Sequence, residues 1–126
     1  MKKGKIIPNG ILLEKHELAT VLYFTDKGYN IELIPPRNSP GNQTPDFIMN
    51  GKAWEMKSPQ GKSRNTIEHL LKKAKRQSEN VIIDLSRSRL NEEIAINEIK
   101  RRFKQTKSCR RLKIVTKNRA LLEFEK

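Results

Sequence analysis

Only one cysteine, Cys109, occurs in the 126 residues, which excludes an internal disulfide and a cysteine-based zinc cluster. Aromatic side chains are few as well: four Phe, two Tyr and one Trp, too few for a sheet that stacks nucleobases on its strands. No apolar run exceeds a few residues (Ile11-Leu12-Leu13, Val81-Ile82-Ile83), so no membrane span is expected. Only Ile6 and Ile7 separate the lysines of the N-terminus from Pro8-Asn9-Gly10, which is no signal-peptide core. Carboxylates are also in short supply, 14 against 27 Lys and Arg, for a net charge of +13. The length fits one domain over residues 1–126, burying about two-thirds of its extended-chain surface. The expectation is a basic, cytosolic domain with a lean interior.

The charge is unevenly spread. Residues 1–36 carry five basic and four acidic side chains, residues 57–89 nine and three, and residues 100–119 ten and none. Solubility is served by mixed signs, so a twenty-residue stretch without a carboxylate points to a polyanionic partner, nucleic acid before an acidic protein or an anionic membrane. A membrane-bound helix would need a broad apolar face, and residues 98–105 offer only Ile99 and Phe103.

Periodicity predicts a helix over 12–27 stopped by Gly28, a strand over 29–34 closed by Pro35-Pro36, and a loop over 37–44. Strands over 46–49 and 52–57 flank Asn50-Gly51, the strongest short signal for a two-residue hairpin, because both central positions need positive φ. A loop over 58–63 leads to a helix over 64–78. The nearly all-apolar run 81–85 reads as a central strand. Asn91 caps a third helix to about 104, and strands over 112–116 and 120–124 end the chain. The fold class is α/β, a mixed sheet flanked by helices in the order α-β-β-β-α-β-α-β-β.

The hairpin carries the chemistry. A turn at 50–51 pairs Met49 with Lys52, and the same register carried on sets Asp46 across from Glu55, with Lys57 one strand repeat beyond on the same face. Facing carboxylates are destabilising unless a proton or a cation lies between them. A divalent ion with oxygen ligands is the natural occupant, and Lys57 would reach a metal-bound water or a phosphate.

Pro45-Asp46 followed by Glu55-Met56-Lys57 resembles the PD-(D/E)xK nuclease motif. The stretch 44–47, Trp54-Glu55-Met56-Lys57-Ser58-Pro59, the basic helix and Val81-Ile82-Ile83-Asp84-Leu85 together look like the tRNA-cleaving C-terminal domains of contact-dependent growth inhibition (CdiA) toxins, and the likeness covers nearly the whole chain. It implies a restriction-endonuclease-like α/β core, Mg²⁺ or Mn²⁺ held by Asp46, Glu55 and the Met56 carbonyl, and a catalytic role for Lys57. It further implies tRNA as the favoured substrate and, for a toxin, an acidic immunity protein over the cationic cleft. The first helix of such nucleases often adds a carboxylate. Glu17 is the candidate, turned inward by Leu13, Val21 and Phe24, with Glu14 its competitor.

Hydrolysis by a metal-bound water leaves a 5′-phosphate and a 3′-hydroxyl. Lys72, Lys73, Lys75 and Arg76 on the second helix are the expected phosphate contacts, with Ser58 and Lys62 in the loop before it. Gln77 supports the site through hydrogen bonds, and Asp84 backs the site from behind or is solvated at a strand end. His16 and His69 read as surface or capping residues, Trp54 and Met56 as core, and Cys109 as a loop thiol. A DNA endonuclease of junction-resolving or restriction type uses the same chemistry, and a binding module without turnover shares the basic surface. Residue types do not separate these readings.

Overall fold

The structure is a computed structural model, and it describes residues 2–36, 44–62 and 65–126. Most of the expected loop over 37–44, and Arg64 at the expected start of the second helix, lie outside the described residues. Seven strands and three helices occur among those described, and the strands pair in chain order from β1 to β7. The chain divides into two compact units between Trp54 and Glu55, inside strand β4 (Lys52–Lys57).

In the first unit β1 (Ile6–Ile7) runs parallel to β2 (Ile31–Leu33), which pairs antiparallel with β3 (Phe47–Met49), which in turn pairs antiparallel with the first half of β4. Strand β1 is the element that the sequence pattern misses, so the observed order is β-α-β-β-β-α-β-α-β-β. A two-residue strand carries no alternation that periodicity can detect. Ile31, Leu33, Phe47 and Met49 are buried and matched in register, whereas Glu32 and Ile48, paired on the other face, are exposed. Helix α1 (Lys15–Asp26) adds buried Val21 and Phe24. It starts three residues later than the pattern predicts, because Glu14 is its N-cap and leaves Leu12 98% exposed. Asn50 (φ 50°) and Gly51 (φ 82°) form the expected turn, and Met49–Lys52, Ile48–Ala53 and Phe47–Trp54 are the pairs it dictates.

In the second unit the latter half of β4 lies parallel to β5 (Asn80–Asp84), β5 parallel to β6 (Arg111–Val115), and β6 antiparallel to β7 (Leu121–Glu125). Every residue of β5 is buried, as expected of a central parallel strand. Helices α2 (Asn65–Gln77) and α3 (Glu92–Gln105) bury Ile67, Leu70, Leu71, Ala74, Ala95, Ile99 and Phe103 in one cluster with Val81, Ile83, Leu112 and Ile114. Asn91 caps α3 by accepting from the Ile94 N–H, as its sequence position predicts. Cys109, in the loop before β6 as expected, is buried in the same cluster, and burial pushes its pKa up to about 11.

Candidate functional site

The second half of β4 presents a carboxylate and an ammonium two residues apart, hence on one face of the strand. Glu55 is 2% exposed, and its Oε2 lies 2.9 Å from Lys57 Nζ. Helix α2 delivers its last residue to the same point: Lys57 Nζ donates to Gln77 Oε1 at 3.0 Å. A buried carboxylate is costly without a counter-charge, and Lys57 supplies it. The amphipathic length of α2 fixes the third member, since Ile67, Leu70, Leu71 and Ala74 face the core and bring Gln77 round to the β4 side.

The loop leaving Lys57 is clamped. Arg87, between β5 and α3, donates through Nε to Ser58 Oγ (3.0 Å) and through Nη2 to the Ser58 carbonyl (2.8 Å). Asp84, at the end of β5, is 2% exposed and therefore not a solvated strand end. Its carboxylate accepts from the Ser86 N–H at 2.9 Å and from the Ser86 hydroxyl, and it pairs with Arg119 at 3.3 Å. Arg87 and Arg119 escaped the sequence reading because neither lies in a recognisable motif. The only signal available was their place at strand ends, Arg87 just beyond the run 81–85 and Arg119 in the turn between the last two predicted strands.

In the first unit Asp46 is half-buried. Its carbonyl accepts from the Ile34 N–H, continuing the β2–β3 register, but its own N–H donates to the Trp54 carbonyl, which Phe47 already faces. Two residues of one strand against one of the other is a β-bulge, a feature common beside active sites. The register expected from the turn therefore ends at Phe47–Trp54, and Asp46 and Glu55 are not a ladder pair. The physical reason is that β3 keeps in phase with β2 and so falls one residue out of phase with β4. The carboxylate of Glu55 has Lys57 as its counter-ion.

Glu17 is half-buried in the first turn of α1, and its Oε1 accepts from the Glu14 N–H at 2.9 Å. Because the helix begins at Lys15, Leu13 lies outside it, and Glu17 takes up a capping position instead of the fully inward one expected. Ligand atoms of Glu14, His16 and Glu17 lie within 4.8 Å of one another, and His16 Nδ1 is 3.5 Å from Glu14. Trp54 and Met56 are buried core residues, as expected, while His69 is exposed.

The cations of α2 fall on different sides of the helix. Glu68 meets Lys72 (3.3 Å) and Arg102 of α3 (3.5 Å), so Glu68, Lys72 and, seven residues on, Lys75 lie toward α3. These two cations hold the Glu68 carboxyl below its usual range, the Lys72 hydrogen bond foremost. Lys73 sits one turn before Gln77 and so flanks the Lys57 side, with Arg76 pointing outward between the two sets. Lys62, Lys72, Lys73, Lys75 and Arg76 are all exposed, and Ser58 is half-buried. Glu98 likewise holds Arg101 (2.6 Å) and Arg102 (3.0 Å). The seam between α2 and α3 is thus electrostatically matched.

These features define an α/β domain with a buried Glu–Lys pair on a strand, a glutamine from the following helix, and a cationic flank. A family model for the contact-dependent growth inhibition CdiA C-terminal domain matches residues 43–121, a span that contains every one of these features, and the chain belongs to that family. Among solved structures it is similar to a chain of the CdiA-CT/CdiI toxin and immunity complex from Burkholderia pseudomallei, with a TM-score of 0.71 and 14% identity over 98% of this chain and 100% of that one. At that identity the likeness is one of fold. No curated protein matches the sequence. The chain is therefore a CdiA-type toxin domain. Among the described residues no helix is long and apolar enough to cross a membrane.

Proposed function

We propose that this toxin domain is a metal-dependent endonuclease of the PD-(D/E)xK type that hydrolyses phosphodiester bonds in RNA, with tRNA its favoured substrate. It acts in the cytoplasm of the target cell and is opposed by an acidic immunity protein. The observation that carries the reading is the Glu55–Lys57–Gln77 cluster, joined at 2.9 and 3.0 Å at the point where the sequence has Glu-x-Lys. A net charge of +13, the exposed Lys73 one turn before Gln77 and membership of a toxin family support it.

The donor set fits a hard divalent cation. The carboxylates of Asp46 and Glu55 and the carbonyl of Met56 are all oxygen ligands, which suit Mg²⁺ or Mn²⁺, with Glu17 the further acid acting directly or through water. When bound, the ion lowers the pKa of a coordinated water and polarises a phosphoryl oxygen. The chain's own groups do the rest. Lys57 steadies developing negative charge, Gln77 fixes the ammonium's direction, and the cations of α2 hold the flanking phosphates.

The test is to incubate wild type and Lys57→Ala with total tRNA, plasmid and branched DNA, in Mg²⁺ or in EDTA, and to sequence the product ends. Magnesium-dependent cleavage of tRNA leaving 5′-phosphates, absent in the variant, is the expected result. Cyclic phosphates formed in EDTA would overturn the chemistry. Cleavage of DNA alone would move the substrate to the junction-resolving or restriction class, and retardation without cleavage would make the domain a binding module.

A further inference from the structure

Ser58 follows Lys57 directly, and its surroundings are built with unusual care for a loop residue. The Arg87 guanidinium spends two donors on it, Nε on the hydroxyl oxygen at 3.0 Å and Nη2 on the backbone carbonyl at 2.8 Å. A hydroxyl has one hydrogen to donate and lone pairs to accept with. Arg87 occupies an acceptor site, so it fixes the oxygen and leaves the O–H to donate elsewhere. A charged donor on that oxygen also makes the hydroxyl a better hydrogen-bond donor, because bonds in a chain polarise one another. Arg87 is itself well anchored. Its loop is held by the Asp84 carboxylate on the Ser86 N–H and by the Ser88 N–H on the Leu85 carbonyl, and Asp84 is buried against Arg119. Ser58 remains half-buried, so a ligand can reach it.

We infer that Arg87 is a positioning residue that aims the Ser58 hydroxyl at a phosphate oxygen of the nucleic acid beside Lys57. This rests on the nuclease reading and adds to it a second neutral donor and the group that orients it. The chemistry suits a phosphodiester. One oxygen meets a compact ammonium, a neighbouring one an oriented hydroxyl, and neither contact reads sequence. The arrangement also explains why an arginine stands at position 87. A lysine supplies a point charge and cannot bond the hydroxyl and carbonyl of one residue with the fixed spacing of a guanidinium fork.

The experiment is a double-mutant cycle read in two ways, with tRNA as the probe: fluorescence anisotropy in EDTA, where binding is seen without turnover, and cleavage in Mg²⁺. Ser58→Ala should weaken tRNA binding about tenfold, the order expected for losing a hydrogen bond to a charged oxygen. Arg87→Ala should weaken it comparably, and the double variant should be no worse than either single one. Ser58→Thr, which keeps the hydroxyl, should restore most of the loss, and Arg87→Lys should not. Because Arg87→Ala can loosen the fold, each variant is also melted, and Ser58→Ala, which keeps the Arg87 bond to the Ser58 carbonyl, carries the claim alone if needed.

Multiplicative losses in the double variant, or a salt slope that falls with Arg87→Ala in the Ser58→Ala background, would make Arg87 a direct phosphate contact and overturn the inference. Ser58→Ala binding and cutting as wild type would overturn it equally. Wild type that binds tRNA in EDTA but never cuts it removes the nuclease reading and leaves the Ser58–Arg87 coupling to be decided by anisotropy. Wild type with no affinity for tRNA overturns the inference and, with it, tRNA as the substrate, while the nuclease reading then stands or falls on the DNA arms of the cleavage test.

Discussion

Replacing Lys57 by Met isolates the energetics of the cluster from its chemistry. The substitution keeps the apolar stem and deletes the ammonium that lies 2.9 Å from Glu55 and 3.0 Å from Gln77. Glu55's side chain is only 3% exposed, so its carboxylate would be left without that counter-charge in a poorly solvated place. Breaking a fully buried pair in this way costs about 3–5 kcal/mol. Lys57's side chain, however, is 24% exposed, which lets water into the space it vacates, so the expected loss is nearer ~2–3 kcal/mol, or roughly 10 °C in melting temperature. Lowering the pH through the carboxylate range should return part of it, since protonation removes the uncompensated charge. Glu55→Gln combined with Lys57→Met should be more stable than Lys57→Met alone, because the double change removes both charges. Both variants should be inactive. The assay is urea unfolding in EDTA at neutral and acidic pH, alongside tRNA cleavage in Mg²⁺. A Lys57→Met protein as stable as wild type at pH 7, or a double variant no better than the single, would refute the claim that the lysine neutralises a buried acid.

Lys73→Ala and Lys75→Ala remove equal charge from opposite sides of α2. The first should lower the salt slope of tRNA binding by about one phosphate contact and the second should leave it nearly unchanged, and equal effects would reject the sidedness of the helix. Cys109, with its pKa pushed up to about 11 by burial, should resist alkylation at pH 8 in the folded protein and react only on unfolding, as thiol labelling in a urea series will report. Gly4→Ala should be strongly destabilising, measured by thermal melting, because its Cβ would fall 1.8 Å from the Tyr29 carbonyl oxygen, a backbone atom that cannot step aside. The Glu98 carboxyl is held low, by its hydrogen bond from Arg101 first and Arg102 next. Its contribution is therefore present above the ordinary carboxylate range and lost as pH falls through the depressed value, and Glu98→Gln should flatten the acid limb of the stability profile.

The elements that the sequence disclosed are those with a strong local signal. Asn50-Gly51 fixed a turn type and with it three cross-strand pairs, Asn91 named its own helix start, and the apolar run at 81–83 belonged only in a sheet centre. What stayed hidden depended on partners distant in sequence. Ile6–Ile7 forms a strand only because β2 is there to pair with it. The bulge at Asp46 arises because β3 must satisfy β2 and β4 at once, a conflict that a single hairpin's arithmetic does not contain. Glu17 was expected inside on the strength of Leu13, Val21 and Phe24, yet a helix that begins at Lys15 makes it the partner of Glu14's backbone. Arg87 and Arg119 looked like two more members of a basic surface. Each has a definite polar partner, Ser58 and Asp84, that only the fold brings within reach.

That distinction changes how the excess charge should be weighed. A net +13 invites the picture of a uniformly attractive surface, but many of the cations are already committed. Lys72, Arg101 and Arg102 hold Glu68 and Glu98 along the α2–α3 seam, and Lys113 and Arg111 hold Glu123 and Glu125 across β6–β7. An ion-paired cation adds little field at a distance and must break its pair before it can meet a phosphate. The acids of the second unit therefore offset cations along the α2–α3 seam and across β6–β7, while Lys73 on the Gln77 side of α2 is exposed. On the nuclease reading proposed above, a polyanion drawn to the domain would be steered to Lys57 as much by where the carboxylates are as by where the lysines are. Neutralising Glu68 and Glu98 together should then raise overall affinity for nucleic acid while slowing cleavage, because new binding registers open away from the cluster. An increase in both binding and turnover would show that the acids serve the helix pair alone.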